Sequence, residues 1–214
     1  MIENISAKRQ GMLFVLSSPS GAGKSTLARL MRENLALTIS ISATTRAPRG
    51  GEKHGQDYYF FTVQEFKVLI DKGAFIEWAE VHGNYYGSFT KTVLDSINSG
   101  QDLLFDIDYC GMLQLQQNMP EHLVSVFILP PSIENLRQRL MNRSEDTAEV
   151  IEQRIKNAYK EMEHSDRFDY VLINETLDQT YQQLNAIYEA ETLKRKRALW
   201  VVDFLDKLKV KSAG

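Results

Sequence analysis

The chain has a single cysteine, Cys110, so it can form no internal disulfide and no multi-thiolate metal centre. That usage fits a reducing compartment, and a cytoplasmic location is expected. Long apolar runs are missing too. None approaches the ~18 residues of a membrane span, and the opening "MIENISAKRQG" lacks the apolar centre of a signal peptide, so no membrane partner is expected. Nor is charge of one sign in excess: 25 Lys and Arg against 28 Asp and Glu leave a net charge of −3. This balance gives no general attraction to nucleic acid, and any anion site must be built locally. The four histidines, His54, His82, His122 and His164, have no metal-ligand spacing and no nucleophile pattern beside them, which leaves surface or packing roles. Repeats and low-complexity tracts are absent. The remainder is ordinary globular composition, 43% hydrophobic and 25% charged over 214 residues, enough for one core with inserted segments.

Short, continuously apolar runs mark strands buried on both faces. Met12 to Ser17 ("MLFVLS"), Leu103 to Asp108 ("LLFDID"), Val124 to Leu129 ("VSVFIL") and Tyr170 to Asn174 ("YVLIN") are such runs, separated by helical patterns. The alternation predicts an α/β fold around a parallel sheet. Two insertions break the rhythm. The first, "ISATTRAPRGGEKHGQDYYFF", reads as short strands or loops, followed by a helix that Thr62 and Glu65 open as a capping box and Gly73 stops. The second is a helix capped by Ser132, with Ile133, Leu136 and Leu140 inward, and a helix opened by Asp146 and Glu149. These two charged helices read as a lid. A last stripe of Leu177, Tyr181, Leu184, Ile187 and Tyr188 precedes "KRKR" and an amphipathic piece with Trp200, Val201, Phe204, Leu205 and Leu208 on one face; docking on the core or on another subunit is its expected use.

The first strand runs into "SPSGAGKST", which is nearly the phosphate-binding pattern G-x-x-x-x-G-K-[ST] with Ser18 in place of the first glycine. Gly21 and Gly23 supply permissive dihedrals at a helix N-terminus, Lys24 a charge for phosphate, and Ser25 a hydroxyl for Mg²⁺. Serine is tolerable at position 18 only where no positive φ is needed. Beyond the loop, Arg46, Arg49 and Tyr58 could converge on one phosphate dianion; a solvated charged loop is the rival reading. Glu77 stands between Ile76 and Trp78, where an unpaired carboxylate is costly, and a structural pairing with an arginine is its rival reading. Asp106 and Asp108 are expected on one strand face by the period of two.

In order and without large gaps from about Met12 to about Tyr188, "SPSGAGKST", "SATTRAPRGGEKHGQDYYF", "FIEWAEVHGNYYG", "LLFDID" and "RLMNRSEDTAEVIEQRI" resemble guanylate kinase, a P-loop nucleoside monophosphate kinase family. The resemblance implies a P-loop core with a five-stranded parallel sheet (about residues 12–38, 90–131 and 160–190), a small mixed GMP-binding insertion (about 39–89), a helical lid (about 132–159) and a basic helical tail (about 191–214). It implies ATP and GMP as substrates and Mg²⁺ as cofactor, in purine nucleotide metabolism. Position by position, it implies that Ser20, Gly21, Ala22, Gly23, Lys24, Ser25, Thr26 and Asn174 hold ATP. Arg46, Arg49, Tyr58 and Tyr86 would take the GMP phosphate, and Ser42, Glu77, Ser88 and Asp108 would face guanine or its supports. Lys24, Arg143 and Arg154 would be catalytic, with Ser25 and Asp106, the latter through water, at the metal. The family usually has glycine at positions 18 and 144, where this chain has serine. A protein-binding module without kinase activity and a related kinase with another phosphorylated acceptor stay open as alternatives, and so does a homo-oligomer; the intact "GKS" and both lid arginines favour an enzyme.

Overall fold

The computed structural model describes residues 9–35, 37–81, 83–143 and 147–212, without the side chains of residue 143 and of 210–212. In chain order the first half forms β1 (Leu13–Ser17), α1 (Lys24–Asn34), β2 (Thr38–Ile39), β3 (Ala43–Thr44), β4 (Tyr59–Phe60), α2 (Val63–Asp71), β5 (Phe75–Val81), β6 (Asn84–Phe89) and α3 (Thr90–Asn98). Then follow β7 (Leu103–Asp106), α4 (Tyr109–Asn118), β8 (Leu123–Leu129), α5 (Ile133–Arg143), α6 (Ala148–Met162), β9 (Tyr170–Ile173), α7 (Leu177–Thr192) and α8 (Trp200–Ser212).

The core sheet is all parallel, in the order β2-β7-β1-β8-β9, with Leu13 level with Leu103 on one side and Leu123 on the other. The continuous apolar run of β1 has a simple cause. Met12, Phe14 and Leu16 pack on Leu27, Met31 and Leu184 of α1 and α7, while Leu13 and Val15 pack on Val93, Ile97, Met112 and Leu115 of α3 and α4. Helices cover both faces, so no position along the strand meets water. Each such side chain, fully buried, contributes about 1.5–3 kcal/mol.

A second, mixed sheet of order β4-β3-β6-β5 rests on its own small core, in which Phe66 of α2 stacks on Phe75 at 4.5 Å. The box opening α2 is complete: Thr62 Oγ1 accepts from Glu65 N–H, and Thr62 N–H donates to Glu65 Oε2. At the β5–β6 pairing Gly87 admits a close approach, since a Cβ there would lie 3.0 Å from that of Trp78.

The pair α5 and α6 joins through Leu136, Leu140, Ile151 and Ile155, and Ser132 Oγ accepts from Asn135 N–H as the expected cap. The box expected from Asp146 and Glu149 rests on Asp146, which with Ser144 lies outside the described residues; the N-cap of α6 is Thr147, with no side-chain cap bond. In the α7 stripe Leu184 is buried, but Leu177 is 36% exposed at the first turn, where the sheet no longer covers it. The "KRKR" segment also departs from a plain basic tail. Arg197 is only 1% exposed, its Nε donating to Glu191 O at 3.0 Å and its Nη1 to Gly11 O at 3.4 Å, and burial pushes its pKa below the usual arginine value. The tail docks on the core at this point; further along α8, Leu205 and Leu208 stay about half exposed. Among the described residues no helix is long and apolar enough to cross a membrane.

Candidate active site

Residues 18–23 join the end of β1 to the start of α1, so the loop is held between the middle strand of the sheet and a helix N-terminus. Gly21 has φ 91° and Gly23, the N-cap, has φ 101°, a region that disfavours any side chain. A Cβ on Gly23 would also stand 2.4 Å from Asn174 Nδ2. The loop is braced from behind: Ala22 O accepts from Asn174 Nδ2 at 2.7 Å and from Arg139 Nη1 at 3.2 Å, and Asn174 Oδ1 accepts from Thr180 at 3.1 Å. In front, the first N–H groups of α1 have no intrahelical acceptor and carry the positive end of the helix dipole. Ser18 turns its hydroxyl onto Pro19 O at 3.0 Å.

Two cavities meet at Lys24, the residue that follows this loop. The larger, about 570 Å³, is lined by loop residues Ser18 to Gly21 and Gly23 to Thr26 and, across from them, by Asp106, Asp108 and Glu161. The smaller, about 230 Å³, is lined by Ser42, Tyr58, Glu77 and Tyr86 of the mixed-sheet insertion. They share Lys24, Val81, Asp106 and Asp108. Lys24 stands at the junction, where its Nζ meets Asp106 Oδ1 at 2.7 Å and donates to Ile107 O at 3.0 Å. The two aspartates reach the junction by a different route from the expected strand face. β7 stops at Asp106, and Asp108 is the N-cap of α4, its Oδ1 accepting from Gly111 N–H at 2.9 Å.

In the smaller cavity Glu77 is 3% exposed, and no arginine or lysine pairs with it among the described residues, so the expected rival of a structural ion pair is not formed. Burial lifts its carboxyl to about 7, against the pull of the adjacent Ser88, while Asp108 adds to the rise. Ser88 is wholly buried beside it and its hydroxyl completes no hydrogen bond of normal geometry. At the far end Arg46 leans on the Tyr58 ring, 5.3 Å from its centre, and Tyr86 lies against Tyr58 at 6.2 Å. Arg46 Nη2 is paired with Glu52 Oε1 at 2.9 Å, which raises the arginine pKa, and Arg49 N–H donates to Glu52 Oε2 at 2.7 Å. Arg46 thus stands at the rim, with Arg49 exposed beyond it.

Of the residues predicted from the sequence, then, one group meets around the loop and another around Glu77, and Lys24 and Asp106 link them. Asn174 is placed behind the loop rather than in the cleft. Arg154, on α6, lines neither cavity, and α5 ends at Arg143, whose side chain is not described. Sequence reasoning missed Glu52, Arg139 and Glu161. Burial raises the carboxyl of Glu161, while Lys24 lowers it. Only Glu52, an acid three residues after Arg49, had a local signal.

A family model described as guanylate kinase matches residues 10–191. The chain belongs to the guanylate kinase family. A guanylate kinase of Bartonella henselae is 51% identical over 201 residues, 94% of this chain and 90% of that protein. One from Brucella melitensis is 49% identical over 215 residues, 100% of this chain and 97% of that protein. Among solved structures, guanylate kinase from Anaplasma phagocytophilum is 38% identical, with a TM-score of 0.75 over 94% of this chain and 97% of that one. The α/β architecture and its two sheets are therefore those of the family.

Proposed function

We propose that this chain transfers the γ-phosphoryl group of ATP to a phosphate oxygen of GMP, giving ADP and GDP. The observation that carries this reading is the meeting of two cavities at Lys24, one walled by a phosphate loop and the other containing a buried carboxylate without a cation. The bond between the β,γ-bridging oxygen and the γ phosphorus breaks, a new P–O bond to GMP forms, and the electron pair leaves with ADP. Such a transfer has a loose transition state, so positioning and positive charge matter more than a nucleophile.

We assign the ATP phosphates to the backbone of Ser20 to Thr26 and to Lys24, in the larger cavity, with Asn174 holding the loop in shape. The GMP phosphate goes to Arg46, Arg49, Tyr58 and Tyr86. Glu52 would give up Arg46 to the phosphate dianion, which offers the same oxygen geometry with more charge. Guanine presents adjacent N1–H and N2–H donors, and an ionised Glu77 has two acceptor oxygens to match them. The orphaned Ser88 hydroxyl, with Ser42 and Asp108, completes that end. Adenine would set an unprotonated N1 against the carboxylate, a mismatch that a dry pocket punishes. Arg143 and Arg154 are assigned to the closed lid over ATP, α5 and α6 being that lid, the mixed sheet the GMP-binding unit and the parallel sheet the core.

Ser25 and Asp106, hard oxygen donors that both line the larger cavity, fit Mg²⁺ carried in on phosphate oxygens, Ser25 directly and Asp106 through water. Nucleotide phosphates and water would complete the shell. When bound, Mg²⁺ neutralises charge on the phosphates. Assaying nucleoside and sugar monophosphates as acceptors with MgATP tests the whole reading: GMP and dGMP should be used and AMP refused. Equal use of AMP would remove the guanine assignment, and a non-nucleotide acceptor would replace it.

A further inference from the structure

β5 is the last strand of the mixed sheet. Its inner edge pairs with β6, Glu77 lying opposite Ser88, and its outer edge has no neighbouring strand. Trp78 turns its backbone groups to the outer edge by the alternation of a strand, and the Ile76 carbonyl reaches the same side at the register shift between Phe75 and Glu77. The core helix α4 takes that edge with side chains. Gln114 Nε2 donates to Trp78 O at 2.7 Å and Gln114 Oε1 accepts from Trp78 N–H at 3.1 Å, one amide satisfying both groups as a neighbouring strand would. One turn on, Asn118 Nδ2 donates to Ile76 O at 2.7 Å. One turn back is Gly111, where a Cβ would lie 2.9 Å from Glu77 Oε2, so the missing side chain leaves room for the carboxylate. Gly111, Gln114 and Asn118 share one helix face, and Asp108, which starts the helix, walls the same pocket.

We propose that Gln114 is a positioning residue for guanine selection: with Asn118 and Gly111 it grips β5 on both sides of Glu77 and fixes where the carboxylate stands in the acceptor pocket. The inference rests on the reading of Glu77 given above. Side-chain amides are suited to the task because they bind the backbone and leave the side chain of residue 77 free to face the ligand. They also tie the acceptor-side strand to the helix that begins at Asp108, so the readout group is held relative to the core rather than to its own small sheet alone.

Gln114→Leu, which keeps the bulk and loses both bonds to Trp78, should be compared with wild type for kcat/KM with GMP and with IMP, which lacks the 2-amino group. The GMP-over-IMP preference should fall by about tenfold or more, since displacement of a positioned group by about 1 Å is enough for losses of this size. KM for ATP should stay within about twofold, because no phosphate-loop residue is touched. Gln114→Glu keeps the acceptor for Trp78 N–H and should fall between. An unchanged preference, or an equal loss for GMP, IMP and ATP, overturns the proposal. Glu77→Gln in the same assays separates the two ideas: if it collapses the preference while Gln114→Leu does not, only the positioning role falls, and if it leaves the preference intact, the Glu77 reading falls and the proposal with it. Should Gln114→Leu give no cooperative thermal transition, Gly111→Ala decides, because it breaks no hydrogen bond and its Cβ presses on the carboxylate at 2.9 Å, closer than on the flexible end of Ile107 at 3.2 Å. Its preference should fall as well, and an unchanged value overturns the proposal.

Discussion

Lys24 and Asp106 meet at 2.7 Å across the mouth of the parallel sheet, joining the first residue of α1 to the last of β7. Their side chains are 17% and 34% exposed, so the bridge is partly screened and holds only about 1 kcal/mol or less. Nucleotide phosphates can therefore take the ammonium from Asp106 without a large penalty. Lys24→Ala should lower kcat by about two to three orders of magnitude, the scale for removing a charge that stabilises the transition state. The melting temperature should move by no more than about 2–4 °C, the shift for about 1 kcal/mol in a chain of this size. Turnover close to wild type would take the loop out of the chemistry.

Glu77 makes stability and acceptor binding depend on pH in opposite directions. Its carboxyl titrates at about 7 in the folded protein against 4.5 for an ordinary glutamate. A group raised in this way contributes stability that is complete below the unfolded value and is lost as pH rises through about 7. Glu77→Gln should then be more stable than wild type at pH 8, by on the order of 3 kcal/mol at most, and show no gain near pH 4. Urea unfolding of both proteins at the two pH values measures this. In the guanine-reading role proposed for Glu77, GMP binds the ionised form, and its KM should rise by up to about tenfold per pH unit below 7 while that for ATP holds steady.

Arg46→Ala removes a guanidinium that is paired with Glu52 here and that we assign to the acceptor phosphate. The KM for GMP should rise by about ten- to a hundredfold, the range for a hydrogen bond to a charged group, with little change for ATP. Equal weakening of both substrates would move this arginine to a structural role.

Asn174→Ala leaves Ala22 O, among the described residues, with Arg139 as its side-chain partner behind the loop. The loss of a buried bond costs about 1–3 kcal/mol, and a loosened loop should raise the KM for ATP above that for GMP. Ser18→Gly, by contrast, removes only a bond to the adjacent Pro19 O, and turnover should stay within about tenfold, or roughly 1.4 kcal/mol. Paired steady-state assays of the two variants test both statements.

What was legible in the sequence was what is local. The phosphate loop lies in consecutive residues between a buried strand and a helix, and the α2 box spans four positions, so each could be read where it stands. The strands of the mixed sheet are short or bear polar residues on an open face, and no continuous apolar run marks β3 or β4. Asp108 was assigned to a strand because alternation was carried past Asp106, although an aspartate ahead of a helical pattern is equally a cap. Hardest to see were pairings across the chain: Gln114 with Trp78 is 36 positions apart, Arg139 with Ala22 117, and Arg197 with Gly11 186. No periodicity records such a contact, since each partner alone looks like an ordinary surface amide or cation.

The last of these pairings has a bearing on the order in which the protein is made. Gln10 N–H donates to Arg197 O, and the Arg197 side chain returns to Gly11 O, immediately ahead of the strand from which the phosphate loop hangs. Translation delivers β1, α1 and their neighbours long before this guanidinium, which lies 186 positions after Gly11 and joins the His122 side chain there. A ribosome stalled before that codon would present a polypeptide with every residue of the candidate site already translated, and with the start of its central strand able to bond through Gly11 N–H to Ile97 O and Met12 N–H to Asp102 Oδ1 but not to the tail. The bonds to Arg197 are thus the last of the contacts at the base of β1 to become available, after the whole candidate site.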